Sequence, residues 1–296
     1  MFDFVKYRYY FLALSLSLIF AFVGLFVYKY ISTGKTFNYS IDFQGGTQFM
    51  LKFDMPVKSS EVISAFEKNG FTGVNIREFA NNEIVVRVKE YIKDTQQAGL
   101  KVVDFIKAKL PNNNAQILQT DAIGAGIGNE MRTKSTTAVI IALILMLVYI
   151  AFRFWSFGFA FGAVAALAHD AIIILGFFLL FKMEISVNVI AAILTILGYS
   201  VNDTIVIFSK IRENLKTMHG SSITEIVNVS LNQTLRRTLL TSFATLLTVL
   251  SLFIFGGETL RDMSYALIIG IIFGTYSSIY IASTIMMMFH RDKRVA

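Results

Sequence analysis

Six apolar runs divide the chain, near residues 9–31, 135–152, 157–181, 185–208, 238–255 and 263–289. A helix that crosses a hydrocarbon core needs about 20 predominantly apolar residues. Each run therefore predicts a transmembrane helix. The first is too long for the apolar part of a typical signal peptide, and no A-x-A-like site follows it, so it reads as an uncleaved anchor.

Between the first and second runs the pattern becomes that of a globular domain. Phe37, Tyr39, Ile41 and Phe43 alternate at strand period, and Phe49, Leu51 and Phe53 continue it beyond a kink or bulge at Gly45-Gly46. Ser59 and Ser60 open a helix with Val62, Ile63 and Phe66 on one face, closed near Gly70. "GVNIREF", "NN" and "EIVVRVK" predict a hairpin. A second helix over about 95–110 ends at Pro111, and "AQILQTD" makes a last strand. The order βαββαβ predicts an α+β ferredoxin-like sandwich. The expected fold is a polytopic α-helical membrane protein with six transmembrane helices and this domain between helices 1 and 2. The expected divisions are 1–34, 35–125 and 126–296. That fold names no function by itself. Asp42, Glu78 and Glu83 read as solvated strand residues.

Charge orients the spans. Lys6, Arg8, Arg153, Lys210, Arg212, Lys216, Arg236, Arg237, Arg291, Lys293 and Arg294 fall on one side of the predicted bundle. Only Lys182 and Arg261 fall in the short hairpins opposite. The side rich in Lys and Arg is expected to be cytoplasmic. Both termini are then inside, and residues 35–125 are outside. This accounts for the net charge of +7 without nucleic acid. The absence of cysteine removes thiol chemistry and disulfides, and three scattered histidines give no metal spacing. In the loop near 209–235, Ser222 and Glu225 form a capping box. Ile223, Ile226, Val227 and Leu231 share a face behind it, predicting a short cytoplasmic helix lying on the membrane or on span ends.

Polar residues inside the apolar runs carry the candidate chemistry. A carboxylate at mid-helix costs roughly 2.5–3.5 kcal/mol to insert, so one placed there is a functional candidate. "GYSVNDTIVIFSKIREN" puts Asn202 and Asp203 about a turn and a half inside the cytoplasmic end of span 4. Thr195, Asn202 and Ser209 share a stripe with Gly198, and Tyr199 and Asp203 form the adjoining one. Such a face of small and polar residues turns to protein or water. Arg237, in "LRRTLLTS", opens span 5 at a similar depth, either as a topology anchor or as a partner for Asp203. Thr238, Thr241, Ser242 and Thr245 continue that helix face. His169 and Asp170 lie in the middle of span 3; adjacent helical residues point about 100° apart, so they are not expected to form a couple. Burial disfavours the charged form of a carboxylate, which suits it to load and release a proton. A structural role as hydrogen-bond anchors remains the other reading.

Together these motifs resemble the SecF family, the smaller subunits of the bacterial SecDF protein-export factor within the resistance-nodulation-division group. "IDFQGGTQF", with Asp42, Phe43, Gly45, Gly46 and Thr47, resembles the family's D-F-x-G-G-T motif. "GYSVNDTIVIFSKIREN", with Gly198 and Tyr199, resembles its span-4 motif, and "LRRTLLTS" its R-T-x-x-T-S motif. The chain departs at "GAGIG", where Ala125 stands at the position of a family proline. The resemblance implies a complex with SecD beside the SecYEG translocon, acting on translocating preproteins within membrane lipid. It also implies proton-driven completion of export, with the proton gradient and no cofactor as the energy source. Asp203 and Arg237 match its proton-path residues. Two rivals remain. One is an assembly subunit without its own ion pathway. The other is an intramembrane aspartyl protease using Asp170 and Asp203, whose flanking residues do not match that pattern.

Overall fold

A computed structural model describes residues 1–34 and 36–290. The basic residues Arg291, Lys293 and Arg294 lie outside them. The described residues form two compact units, one within Tyr39–Ser135 and the other within Met1–Asn38 and the part of the chain from Thr136 onward.

In the first unit, β1 (Gly46–Phe53), β2 (Asn75–Glu78), β3 (Glu83–Val88) and β4 (Ala115–Ile123) form one sheet. Helix Ser59–Lys68 separates β1 from β2, and helix Thr95–Lys109 separates β3 from β4. The strand order is β2-β3-β1-β4, with every neighbour antiparallel. Asn81 and Asn82 turn the β2–β3 hairpin with φ of 59° and 60°, a region that asparagine tolerates. Phe49, Leu51 and Phe53 project from one face of β1 onto Val62 and Phe66, and onto Val102 and Ile106 of the second helix. Phe66 packs edge-on against Phe105 with ring centroids 5.0 Å apart. Such pairs contribute about 0.5–1.5 kcal/mol beyond the area they bury. The β1–β4 register shifts at Met50/Leu51, which leaves Leu118 as the extra residue.

The strand expected through Phe43 is not formed. Only Asn38–Tyr39 is extended, and Ile41–Gln44 winds into one helical turn. The Ser40 hydroxyl accepts from the Asp42 amide at 3.3 Å, and Gly45 ends the turn. Ile41 and Phe43 are buried all the same. Strand alternation and a single helical turn both serve two apolar residues spaced by one, and the local cap decides between them.

Among the described residues six helices are long and apolar enough to cross a membrane: Arg8–Thr33, Ala125–Phe154, Phe157–Leu180, Val187–Thr217, Ile223–Phe255 and Thr259–Phe289. They are called spans 1–6. Spans 3, 4 and 6 carry most of the buried interior. Span 1 seats Phe22 on Gly176, where a side chain would strike the Phe22 ring. Span 6 changes winding at Ser278–Ala282, a single π-helical turn.

Spans 4 and 5 outrun their apolar cores. At 1.5 Å per residue their 31 and 33 residues reach about 47 and 50 Å, against a hydrocarbon thickness of about 30 Å. The separate amphipathic helix expected in the loop near 209–235 is instead the first part of span 5. No Gly or Pro interrupts 223–255, and the apolar face of Ile223, Ile226, Val227 and Leu231 is buried within the chain. Its polar side is used as well. Asn214 Nδ2 donates to Ser230 Oγ at 2.8 Å, and the Phe2 and Phe4 amides donate to the Asn232 and Asn228 side chains at 2.8 and 2.9 Å. The Ser222 hydroxyl caps this helix by accepting from the Glu225 amide at 3.2 Å. Ser222→Ala is expected to cost about 1 kcal/mol, read as faster amide hydrogen exchange at Ile223–Ile226.

Candidate functional site

Asp203 is 3% exposed within the bundle. Among the described residues its carboxylate has one hydrogen bond, from the Ser242 hydroxyl to Oδ2, at the long distance of 3.5 Å. Ser242 is the hub of a small cluster. Tyr199 donates to it at 3.4 Å, and it lies 2.7 Å from Thr275 Oγ1. Thr275 spends its proton on the Ile271 carbonyl at 2.9 Å. Ser242 therefore has one proton and two acceptors, Thr275 and Asp203. Ser242 thereby links Asp203 of span 4 to span 5 and, through Thr275, to span 6.

Arg237 is exposed at the start of this face. Among the described residues no ion pair joins it to Asp203. Asn202 is exposed and turned away from its neighbour. Thr195 is exposed too, and a side chain built on Gly198 would meet nothing within 4 Å. The stripe of small and polar residues on span 4 thus opens outward, while Asp203 points inward.

Asp170 is fully buried and takes a different set of partners. It accepts from Ser200 Oγ at 2.7 Å and Ser277 Oγ at 2.9 Å. It also lies 3.0 Å from His169 Nδ1. The expectation that His169 and Asp170 do not couple is corrected. Their Cβ atoms diverge, but the imidazole is long enough to swing back to the neighbouring carboxylate. With Nδ1 donating, the buried Nε2 has no hydrogen-bond partner among the described residues. Ser278 extends the set, donating to the Ser200 carbonyl at 3.3 Å and lying 2.9 Å from Thr204 Oγ1. Asp170 therefore ties spans 3, 4 and 6 beside the π turn, and such turns are frequent at functional sites. Ser200, Thr204, Thr275, Ser277 and Ser278 escaped sequence reasoning. Their only signal was hydroxyls at helical spacing in "GTYSSIY" and "GYSVNDT".

The Gly-Gly motif lies in the other unit and has an architectural basis. Gly45 and Gly46 take φ of 75° and 114°. A side chain on Gly45 would come 2.7 Å from Ala125 Cα, and one on Gly46 would come 2.3 Å from the Val88 carbonyl. Thr47 is wholly buried; its hydroxyl donates to the Glu90 carbonyl at 2.7 Å and accepts the Ile92 amide at 3.0 Å. Phe43 is buried against Tyr39, and the Ser40 hydroxyl donates to Asp42 at 3.0 Å.

Six apolar helices, an inserted α+β unit and buried carboxylates define a polytopic helical membrane protein. The family described as "Protein export membrane protein SecD/SecF, C-terminal" matches residues 104–292, and the "SecD/SecF GG Motif" matches 30–57. The chain is 38% identical over 276 residues to the protein translocase subunit SecF of Gemmatimonas aurantiaca, covering 90% of this chain and 82% of that one. It is 37% identical over 299 residues to the SecF subunit of Rickettsia rickettsii, covering 99% and 93%. It also superposes on the crystal structure of SecDF, a translocon-associated membrane protein from Thermus thermophilus, with a TM-score of 0.85 and 37% identity. That match covers 98% of this chain and 38% of the longer SecDF chain. The chain belongs to the SecF family of protein translocase subunits, multi-pass proteins of the inner membrane with a role in protein translocation.

Proposed function

We propose that this subunit couples proton flow through its helix bundle to late steps of Sec-dependent export on the outer face of the inner membrane. One observation carries the reading: Asp203 is a buried carboxylate with a single long hydrogen bond, from a hydroxyl that has a competing acceptor. A fully paired structural anchor would not be left so under-bonded. Asp203 is the proton-carrying group, Arg237 the nearby charge that favours release, and Asn202 and Asp170 polar residues flanking the path. The proton gradient supplies the energy, with no cofactor, and the subunit acts as a coupling device and not as an enzyme.

SecD is the proposed partner for the open face of span 4. Thr195, Gly198 and Asn202 leave room and polar groups there at membrane depth, the kind of surface that packs against another helix. SecYEG, translocating preproteins and membrane lipids complete the setting. Both termini are cytoplasmic, and residues 35–125 form a periplasmic ferredoxin-like domain that moves with the proton cycle. The alternation βαββαβ and the order β2-β3-β1-β4 support that description.

The rival reading, an assembly subunit without an ion pathway, has support at Asp170, whose three partners hold three spans together. The test is export of a preprotein into vesicles holding the chain with SecD and SecYEG. A rate increase that needs this chain and disappears with an uncoupler is expected. An increase indifferent to the uncoupler would favour the assembly subunit.

A further inference from the structure

At one end of the bundle the first residues of spans 1 and 5 meet the last residues of span 6 around a cavity of about 260 Å³. It is lined by Arg8, Tyr9, Ile223, Thr224, Thr284 and His290, among others. A single water occupies about 30 Å³ of liquid, so the space suits a larger group.

The lining is rich in donors. Arg8 is held over the Tyr9 ring, 4.6 Å from its centroid, and donates to the Val5 carbonyl at 3.1 Å and the Tyr9 hydroxyl at 3.3 Å. Among the described residues no carboxylate forms an ion pair with it. Ile223 and Thr224 are the first two residues of a 33-residue helix, and the Ser222 cap satisfies only the Glu225 amide. The first amides of a helix have no acceptor within it, and they favour an anion. His290, whose Nδ1 lies 3.2 Å from the Met286 carbonyl, also lines the cavity.

Thr284 supplies the independent observation. It is 1% exposed, and its hydroxyl is buried with no partner among the described residues. Other hydroxyls on these helices, such as those of Thr241 and Ser283, donate to a carbonyl four residues earlier. The Thr284 hydroxyl does not, just beyond the π turn, in a residue that lines the cavity. A buried unpaired hydroxyl costs free energy unless something meets it.

We propose that this pocket binds a phosphate group carrying net negative charge, with Arg8, the first amides of span 5 and the Thr284 hydroxyl as its donors. The pocket holds Arg8 at the start of span 1 and His290 just past the end of span 6, the level of lipid headgroups, and basic pockets between spans suit anionic headgroups. The source is then the phosphodiester of an anionic lipid. This requires that the chain span a membrane, and it is independent of proton coupling.

The test uses the full chain in detergent, titrated with phosphatidylglycerol or phosphatidylcholine, with retained lipid read by native mass spectrometry. Phosphatidylglycerol is expected to bind more tightly than phosphatidylcholine. Arg8→Gln should weaken phosphatidylglycerol at least about fivefold, and Thr284→Val, close in volume, about tenfold. An elution profile like that of the parent chain shows that each variant is folded; if Arg8→Gln is not, Thr284→Val decides alone. Displacement of the lipid by millimolar inorganic phosphate would keep the site and assign it to a soluble phosphate. Parent-like retention by a folded form of either variant overturns the proposal.

Discussion

Asp203→Asn is expected to leave the complex with SecD assembled while reducing gradient-driven export to the rate seen without a gradient, a loss of about tenfold or more. The substitution is nearly isosteric, so the buried position keeps its packing, and the amide oxygen can still accept the Ser242 hydroxyl now seen at 3.5 Å. What it removes is the exchangeable proton. General acid–base groups contribute roughly 10²–10⁴-fold where proton transfer limits a step, so a partial bypass would still leave a large deficit. The measurement is preprotein export into vesicles under an imposed proton gradient, with complex recovery followed in the same preparation. A normal rate would sink the relay. Disappearance of the complex from the membrane would instead make Asp203 a structural anchor. Asp170→Asn provides the contrast. Its carboxylate has three partners, and an amide cannot serve Ser200, Ser277 and His169 as three donors equally well. Loss of assembly is therefore the expected outcome at Asp170, and loss of coupling at Asp203.

The two carboxylates also show which features could be read from the sequence. The spans were legible because an apolar run of the right length has few alternatives, and Asp203 was legible because a charge within such a run is costly. Its surroundings were not. Ser242 and Thr275 lie on different helices from Asp203, and only the packing of spans 4, 5 and 6 joins them. Similar depth makes Arg237 a candidate partner for Asp203, but depth does not fix rotation about a helix axis, and Arg237 is exposed. His169 and Asp170 failed in the opposite direction, because the angle between two Cβ atoms says little about where a long imidazole ends. The fusion of the expected surface helix with span 5 has a similar cause. An amphipathic face signals burial without saying what buries it, and here the partner is the chain itself. In the inserted unit, strand period and turn residues marked the sheet correctly, whereas at Ile41–Gln44 a serine cap overrode an alternation of only a few residues.

Gly46→Ala is expected to destabilise the inserted unit by about 3 kcal/mol or more. A φ of 114° is a conformation that L side chains rarely adopt, and a Cβ there would sit 2.3 Å from the Val88 carbonyl oxygen. Backbone strain of this kind costs about 1–3 kcal/mol on its own, and the clash adds to it. The struck atom cannot swing away as a side chain would. It belongs to β3, paired with β1 through Thr47 and Val88, so relief must come from parting the two central strands. Against the usual domain stability of about 5–15 kcal/mol, that is a large share. The measurement is hydrogen-exchange protection of 46–53 and 83–88 in the full chain, which should fall by about two orders of magnitude in proportion. Gly124→Ala is the control: its φ is ordinary, a Cβ would meet nothing within 4 Å, and a change within about 0.5 kcal/mol is expected. Wild-type protection in Gly46→Ala would show that the strands part more easily than their pairing implies. The paired glycines then need no chemical role to account for their presence. They let β1 start directly against β3 and, through the 2.7 Å approach of a Gly45 Cβ to Ala125, let the chain that leaves β4 pass close to the chain that enters β1. A side chain at either position would separate two segments whose close approach defines where the sheet begins.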